Sequence, residues 1–150
     1  MVAGTGRQKA LPTPVALLAE AVGRELAKQG YGLVVGGWPG VDYLAARGFA
    51  QVLAAQGLPL ADYLIQVVST SRPVVYPPGA DYPDFRGGHI IAVPAGVREW
   101  VEALKYAEAV VLLGGEGGTR ETFWYATQEQ RPCFQFQVRT VMLRWLLQIA

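Results

Sequence analysis

The sequence is poor in the residues that form disulfides and bind metals. Its 150 residues include one cysteine, Cys133, and one histidine, His89. A single cysteine excludes an intrachain disulfide and a cysteine-based metal cluster, and a single histidine excludes a histidine-rich metal site. We therefore expect neither a metal site nor a resident cofactor.

Charge is also sparse and nearly balanced. Charged residues make up 17% of the chain and the formal net charge is +1. This composition gives no basic stripe of the kind that binds nucleic acid, so we expect no nucleic-acid partner. The sequence lacks an apolar run of the roughly 18 residues needed to span a membrane, and its first residues do not resemble a signal peptide. These features predict a cytoplasmic protein with no membrane partner.

Glycine and apolar residues, by contrast, are abundant. The chain contains 18 glycines, and 51% of its residues are hydrophobic. Short β-branched runs alternate with segments of helical apolar spacing along the whole length, which is typical of a parallel sheet covered by helices on both faces. We predict one nucleotide-binding domain over residues 1–150, with a Rossmann-like, doubly wound α/β fold.

The most informative stretch joins a predicted strand at 109–113 to a helix through a glycine-rich turn. Four glycines within five positions are unlike core packing, because glycine loses the most conformational entropy on folding and packs no side chain. Such a turn lets a ligand approach the backbone, and the next helix presents unpaired N–H groups to an anion. The sequence thus predicts a phosphate or ribose site, with candidate residues Gly114, Gly115, Glu116, Gly117, Gly118, Thr119 and Glu121.

Glu121 lies in the first turn of that helix and has two interpretations. A carboxylate there complements the helix dipole, a structural role worth roughly 0.3–1 kcal/mol. Alternatively, Glu121 accepts hydrogen bonds from ribose hydroxyls or acts as a general base beside the phosphate site.

Two further glycine turns follow predicted strands. The first contains Gly4, Thr5, Gly6 and Arg7, but Lys9 occupies the third glycine position of the dinucleotide fingerprint, so that motif fails. The second turn, after the strand at 31–35, contains Gly36, Gly37 and Trp38, and the Trp38 ring either stacks on a base or covers the helix end.

Three turns that follow parallel strands meet at the carboxyl edge of the sheet, where such folds bind ligands. Two further cationic residues are candidates for this edge. Arg86, in an irregular segment at 69–88, is a candidate phosphate ligand, with a solvated surface arginine as the alternative. Lys105 is another, with compensation of a helix dipole as its alternative.

The stretch at 114–121 resembles the signature of the LOG and lysine-decarboxylase-like proteins of the SLOG superfamily, Pro-Gly-Gly-x-Gly-Thr-x-x-Glu. Gly114 stands at the proline position, Glu116 replaces a glycine, Gly118 and Thr119 match Gly-Thr, and Glu121 falls on the first acidic position. The turn at 36–40 is similar to a second motif of these proteins, Gly-Gly-Gly-x-x-Gly, with Trp38 at its third position.

The resemblance implies two main functions. SLOG domains of Thoeris-type antiphage effectors sense a cyclic ADP-ribose isomer, and this small nucleotide ligand shifts an oligomeric equilibrium that switches on a linked effector domain. LOG enzymes are instead phosphoribohydrolases that cleave the N-glycosidic bond of a nucleoside monophosphate. In that case Glu121 is the catalytic carboxylate.

The enzyme interpretation also requires an arginine. The arginine position of the family falls on Glu99, and Arg98 is one residue away, which is a rotation of about 100° on a helix. Arg98 would therefore point elsewhere unless the helix starts differently, and this departure favours the sensor. Other SLOG proteins carry a nucleotide-linked cofactor or bind single-stranded DNA. The nearly neutral net charge of this sequence argues against DNA binding.

The C-terminal segment of the sequence suggests self-association. The segment at 141–149 predicts a helix that is apolar nearly all round, which indicates self-association as a dimer or tetramer.

The first predicted strand is unusually short. Only two residues lie between Met1 and the first glycine turn, fewer than a typical strand contains, which suggests a domain cut from a longer protein.

Overall fold

A computed structural model of the chain describes residues 1–6, 11–71, 88–115 and 117–136. Strands and helices alternate along these residues, which confirms the predicted α/β class. The strands are β1 (Val2–Gly4), β2 (Leu33–Val35), β3 (Leu64–Ser69), β4 (His89–Val93), β5 (Val110–Leu113) and β6 (Cys133–Phe136). The α-helices are α1 (Thr13–Lys28), α2 (Val41–Gln56), α3 (Glu99–Glu102) and α4 (Gly118–Gln128), and short 3-10 helices cover Leu60–Asp62 and Ala103–Tyr106.

All strand pairs in these ranges are parallel. They form two three-stranded sheets, ordered β1-β5-β6 and β2-β3-β4, and β1 also contacts β2. The chain therefore builds outward through β2, β3 and β4 on one side of β1, and then crosses to add β5 and β6 on the other side. The point where a doubly wound fold reverses direction is where its ligand crevice opens.

Helices α1 and α2 pack closely on each other and cover one face of this arrangement. Their contact is close because both helices carry a glycine where they cross: a Cβ on Gly23 would collide with the carbonyl oxygen of Ala45, and one on Gly48 with that of Glu20. Phe49, Leu33 and Leu64 are fully or almost fully buried in the core beneath them. This core supports the α2 end that reaches the carboxyl edge.

The carboxyl ends of β1 and β5 lie side by side, with Gly4 opposite Leu113 in the strand register. The backbone N–H of Val41, at the start of α2, donates to the carbonyl oxygen of Thr5 at 3.0 Å. The glycine turns after β1, β2 and β5 therefore converge at one edge, as the sequence predicts.

The helical segment between β4 and β5 is short. The α-helical part is only Glu99–Glu102, and the chain then tightens into the 3-10 helix Ala103–Tyr106. None of the helices in the described part of the chain has the length and apolar character needed to cross a membrane. The predicted apolar helix at 141–149 lies outside the described residues, as do Arg7, Arg86 and Glu116.

Candidate functional site

A cleft of about 280 Å³ opens at the carboxyl edge, between the starts of α2, α3 and α4. We call it the first cleft. It brings together glycines of all three turns, two indole rings, a carboxyl group and two hydroxyl groups. Its lining residues are Met1, Ala3, Gly4, Gly6, Gly36, Trp38, Asp42, Trp100, Gly118, Thr119 and Thr122.

The glycine turns form the backbone wall of the first cleft because no larger residue fits there. A Cβ on Gly4 would collide with the carbonyl oxygen of Leu113 and would lie 2.7 Å from Cγ2 of Val41. A Cβ on Gly6 would lie 3.2 Å from the ring of Trp38. The ring of Trp38 therefore covers the first turn, and its indole forms one side of the cleft.

Asp42, Trp100 and Thr122 were not singled out from the sequence, and of these Asp42 is the buried charged residue. It is the second residue of α2, and its carboxyl turns back so that Oδ2 accepts the N–H of Gly36 at 2.9 Å and the N–H of Trp38 at 3.4 Å. Only 5% of the residue is exposed. The sequence did contain a signal for this contact. An acidic residue at the second position of a helix can accept hydrogen bonds from the backbone N–H groups of the turn before it.

Burial raises the pKa of the Asp42 carboxyl from its ordinary value of 3.8 to about 7, although the N–H groups of Gly36 and Trp38 act in the opposite direction. The nearby carboxylate of Glu99 raises the pKa further. Glu99 itself is 3% exposed. Near neutral pH, Asp42 thus exists in both protonation states and can either accept or donate a hydrogen bond.

Helix α4 contributes its first turn to the same cleft. It begins at Gly118, and the residue before it, Gly117, has φ of 59°, a positive value that glycine adopts without strain. Thr119 is buried, and Thr122 donates its hydroxyl to the carbonyl oxygen of Gly118 at 2.8 Å. The unpaired N–H groups at this helix start are suited to an anionic group of a ligand.

Glu121 is held by two side chains of the protein. The indole Nε1 of Trp100 donates to Oε2 of Glu121 at 2.9 Å, and a guanidinium nitrogen of Arg98 lies 3.5 Å from Oε1. Arg98 reaches Glu121 because it precedes α3, with an extended backbone at φ −80° and ψ 101°, so the rotation expected for a helical residue does not apply. The structure therefore joins the two residues on which the enzyme interpretation depends.

Most of the predicted site residues lie at this edge. Thr5 contributes its backbone to the turn next to α2, and Gly37, between Gly36 and Trp38, has φ of 72°. Lys105 is not brought to the first cleft, because it lies in the 3-10 helix and its Nζ pairs with Glu102 at 2.8 Å on the surface.

The first cleft combines aromatic faces with a few polar groups. Two indoles offer aromatic faces, Asp42 offers a hydrogen-bonding carboxyl group, and the start of α4 offers N–H groups. Pockets for small ligands in proteins usually measure about 300–1,000 Å³ and combine apolar walls with a few polar groups. At about 280 Å³, the first cleft is slightly smaller than that range.

The fold is shared with several solved structures. The molybdenum cofactor carrier protein from Chlamydomonas reinhardtii matches with a TM-score of 0.69 and 17% identity, over 99% of this chain and 81% of that one. The molybdenum cofactor binding protein from Rippkaea orientalis matches with a TM-score of 0.63 and 18% identity, over 99% and 81%. DNA processing protein A from Helicobacter pylori matches with a TM-score of 0.65 and 21% identity, over 92% and 64%.

These likenesses define the class of the protein, a Rossmann-like α/β domain, and confirm the predicted fold. A model of the SLOG cluster4 family matches residues 1–59 of the 150, which contain β1, α1, β2 and α2. The match supports the SLOG resemblance, and it includes the two glycine turns at Gly4 and Gly36. A search of curated proteins gives no match.

The expectation that nucleic acid is excluded is wrong. The Helicobacter pylori protein, which shares this fold, is described as binding single-stranded DNA in a distinctive mode. The expectation rested on the net charge of +1. Net charge averages over the whole surface and does not describe the local groups at one edge, so it cannot exclude a partner that contacts only that edge.

Proposed function

We propose that this domain binds a small nucleotide-derived ligand at the first cleft and holds it without cleaving it. The observation that carries the proposal is the convergence of Trp38, Trp100 and the buried Asp42 with the glycine turns. The aromatic faces suit the ring of a base, and the N–H groups at the start of α4 suit a phosphate.

Asp42 gives the proposed ligand an orientation. A buried carboxyl group with a pKa near 7 requires a hydrogen-bonding partner when a ligand excludes water from the cleft. An adenine edge, in which an acceptor ring nitrogen lies beside an amino group, can pair with the protonated carboxyl group, and a guanine or pterin edge, which has two adjacent N–H donors, can pair with the carboxylate. We therefore place the base edge at Asp42 and the phosphate towards Thr119.

The state of Glu121 supports binding without hydrolysis. Both of its carboxylate oxygens face protein donors, Trp100 on one side and Arg98 on the other. A general base must reach the proton or water that it activates, within hydrogen-bond distance. Because Glu121 is bonded to Trp100 in the cleft wall, we favour a structural role for Glu121 over a role as general base.

The favoured ligand is an ADP-ribose nucleotide, including cyclic ADP-ribose isomers, which makes the domain a sensor of a nucleotide signal. Two of the proteins that share this fold are named for carrying or binding the molybdenum cofactor. That cofactor is therefore a second ligand class to test beside ADP-ribose. Single-stranded DNA is the third ligand class, because of the Helicobacter pylori protein.

One observation favours a second candidate function, a phosphoribohydrolase. The pairing of Arg98 with Glu121 at 3.5 Å supplies the arginine and the carboxylate that the LOG-like reaction requires. In this alternative, a ligand displaces Trp100 or Arg98 from Glu121, and the freed carboxylate assists the loss of the base.

The experiment that tests the proposal combines calorimetric titration with chromatography of the recovered ligand. The ligands are AMP, ADP-ribose, a cyclic ADP-ribose isomer, the molybdenum cofactor and a short oligodeoxythymidine. We expect an ADP-ribose nucleotide to bind and to be recovered intact, and we expect Asp42→Asn to weaken binding at least tenfold. Asp62→Asn is the matched control, because Asp62 is exposed and lies outside the first cleft.

Three outcomes contradict the proposal. Release of free base, lost on Glu121→Gln, would establish the hydrolase. Exclusive binding of the oligonucleotide would make the edge a nucleic-acid site. Equal binding by wild type and Asp42→Asn would remove Asp42 from the site.

A further inference from the structure

A second cleft, of about 500 Å³, lies on the other side of the glycine-rich turn at 114–118. It opens at the carboxyl ends of β5 and β6, where Leu112 and Gln135 are opposite each other in the strand register. Thr119 lines both clefts, so the turn and the first residues of α4 form the wall between them. The residues that line the second cleft are Leu112, Gly114, Gly115, Gly117, Thr119, Arg120, Phe123 and Gln135.

The two clefts differ in charge. The first contains the carboxyl group of Asp42, with Glu99 near it, whereas the described residues of the second include one charged group, the guanidinium of Arg120. Arg120 is exposed and stands in the first turn of α4, where the helix dipole adds to its positive charge. An anionic group is therefore stabilised more on the Arg120 side of the wall than on the Asp42 side.

The backbone of the dividing turn is shaped for close approach. Gly114, Gly115 and Gly117 all have positive φ, of 63°, 93° and 59°. A Cβ on Gly115 would collide with the hydroxyl of Thr119, whereas one on Gly117 would meet nothing within 4 Å. The rim of the wall at Gly117 is thus open, and a chain of a few atoms can pass over it from one cleft to the other.

Phe123 gives the second cleft an aromatic face. It lies one helical turn after Arg120 on α4, so the two side chains stand on the same face of the helix. Phe123 is 44% exposed and lines the second cleft, so part of its ring is accessible to a ligand there. An exposed ring beside a guanidinium group is suited to a sugar or base that carries a phosphate.

We propose that the second cleft binds the distal half of a ligand that has two ring-bearing halves joined by a pyrophosphate. The base of the first half lies in the first cleft, the pyrophosphate crosses the wall beside Thr119 and Gly117, and its second phosphate pairs with Arg120. The distal sugar or base packs on Phe123. This inference rests on the proposed function and deepens it, because it assigns the distal half of an ADP-ribose nucleotide or related dinucleotide to a second cleft.

The test compares AMP with ADP-ribose by calorimetric titration, using Phe123→Ala and Arg120→Gln. The matched control is Trp124→Ala, because Trp124 is the next residue on α4, is 54% exposed and lines neither cleft. All substituted side chains are exposed, so we expect unchanged far-UV circular dichroism and melting temperature within about 2 °C.

The wild type should bind ADP-ribose at least tenfold more tightly than AMP. Phe123→Ala and Arg120→Gln should each remove most of this preference while the affinity for AMP changes less than twofold, and Trp124→Ala should bind both ligands as the wild type does. Equal affinity for AMP and ADP-ribose, or loss of the preference in Trp124→Ala to the same extent, would overturn the second site but leave the proposed function in place. Absence of binding by both nucleotides would overturn the proposed function as well.

Discussion

The two clefts on either side of residues 114–119 are built in different ways. The first joins turns that are far apart in the sequence, after β1, β2 and β5, and it encloses a buried carboxyl group. The second is local, formed by β5, the start of α4 and the neighbouring β6, and its charged group, Arg120, is exposed. The comparison shows that one glycine turn separates a cleft with a buried carboxyl group from a cleft with an exposed guanidinium group.

The buried carboxyl group of the first cleft should produce the largest effect on stability. Because the folded pKa of Asp42, about 7, is above its ordinary value of 3.8, the folded protein binds an extra proton between these values. The free energy of unfolding should therefore fall as pH rises through this window, by about 1.4 kcal/mol per pH unit from this group. Asp42→Asn should remove this contribution.

Chemical denaturation at pH 5 and pH 8 measures the effect. The free energy of unfolding of Asp42→Asn, relative to that of the wild type, should be about 3 kcal/mol higher at pH 8 than at pH 5. Asp62→Asn should follow the wild type. Parallel curves for wild type and Asp42→Asn would show that the Asp42 carboxyl is not desolvated in the folded protein.

Closing the backbone wall of the first cleft should have the next largest effect. Gly4→Ala places a methyl group against the carbonyl oxygen of Leu113 and against Val41, and overpacking of this kind costs about 1–3 kcal/mol. Gly32→Ala is the matched control, because its Cβ would meet only the carbonyl oxygen of Tyr63, at 3.3 Å. Urea denaturation measures the free energy of unfolding of both variants. Equal values would contradict the close packing at Gly4.

Trp100→Phe separates the hydrogen bond of Trp100 from its packing. The variant keeps an aromatic ring beside Gly118 but removes the Nε1 donor to Glu121, and we expect a loss of about 0.5–1.5 kcal/mol in the free energy of unfolding. AMP affinity should fall, since the first cleft loses an oriented wall. If Glu121→Ala and Trp100→Phe had additive effects in a double-mutant cycle, the two side chains would not be coupled.

Arg98→Ala should have the smallest effect on stability. The side chains of Arg98 and Glu121 are 54% and 40% exposed, and an ion pair of this kind contributes about 0–1 kcal/mol. Ligand affinity should change less than twofold in a binding domain. Turnover of a nucleoside monophosphate by the wild type that disappears in Arg98→Ala would instead support the hydrolase.

The sequence allowed the fold to be predicted because its signals are local and repeated. Each glycine turn follows an apolar strand, and the carboxyl ends of parallel strands necessarily share an edge, so the convergence of Gly4, Gly36 and Gly118 followed from the fold class. The position of the second strand, β2, also followed from its apolar residues at 33–35.

Features that depend on tertiary contacts could not be predicted. Asp42 is buried because the turn at 36–38 folds back over the start of α2, and no sequence period reports that contact. The position of Arg98 depended on where α3 begins, and a helix of four residues has too little periodicity to show its start. The pairing of Lys105 with Glu102 likewise depends on the 3-10 geometry after α3.

The most direct test of the account is a calorimetric titration of ADP-ribose into wild type, Asp42→Asn and Phe123→Ala, with chromatography of the ligand afterwards. One variant changes the first cleft and the other changes the second. The account predicts that wild type binds ADP-ribose and returns it intact, and that each variant binds at least tenfold more weakly. Binding that neither substitution weakens, or ligand recovered as free base, would contradict it.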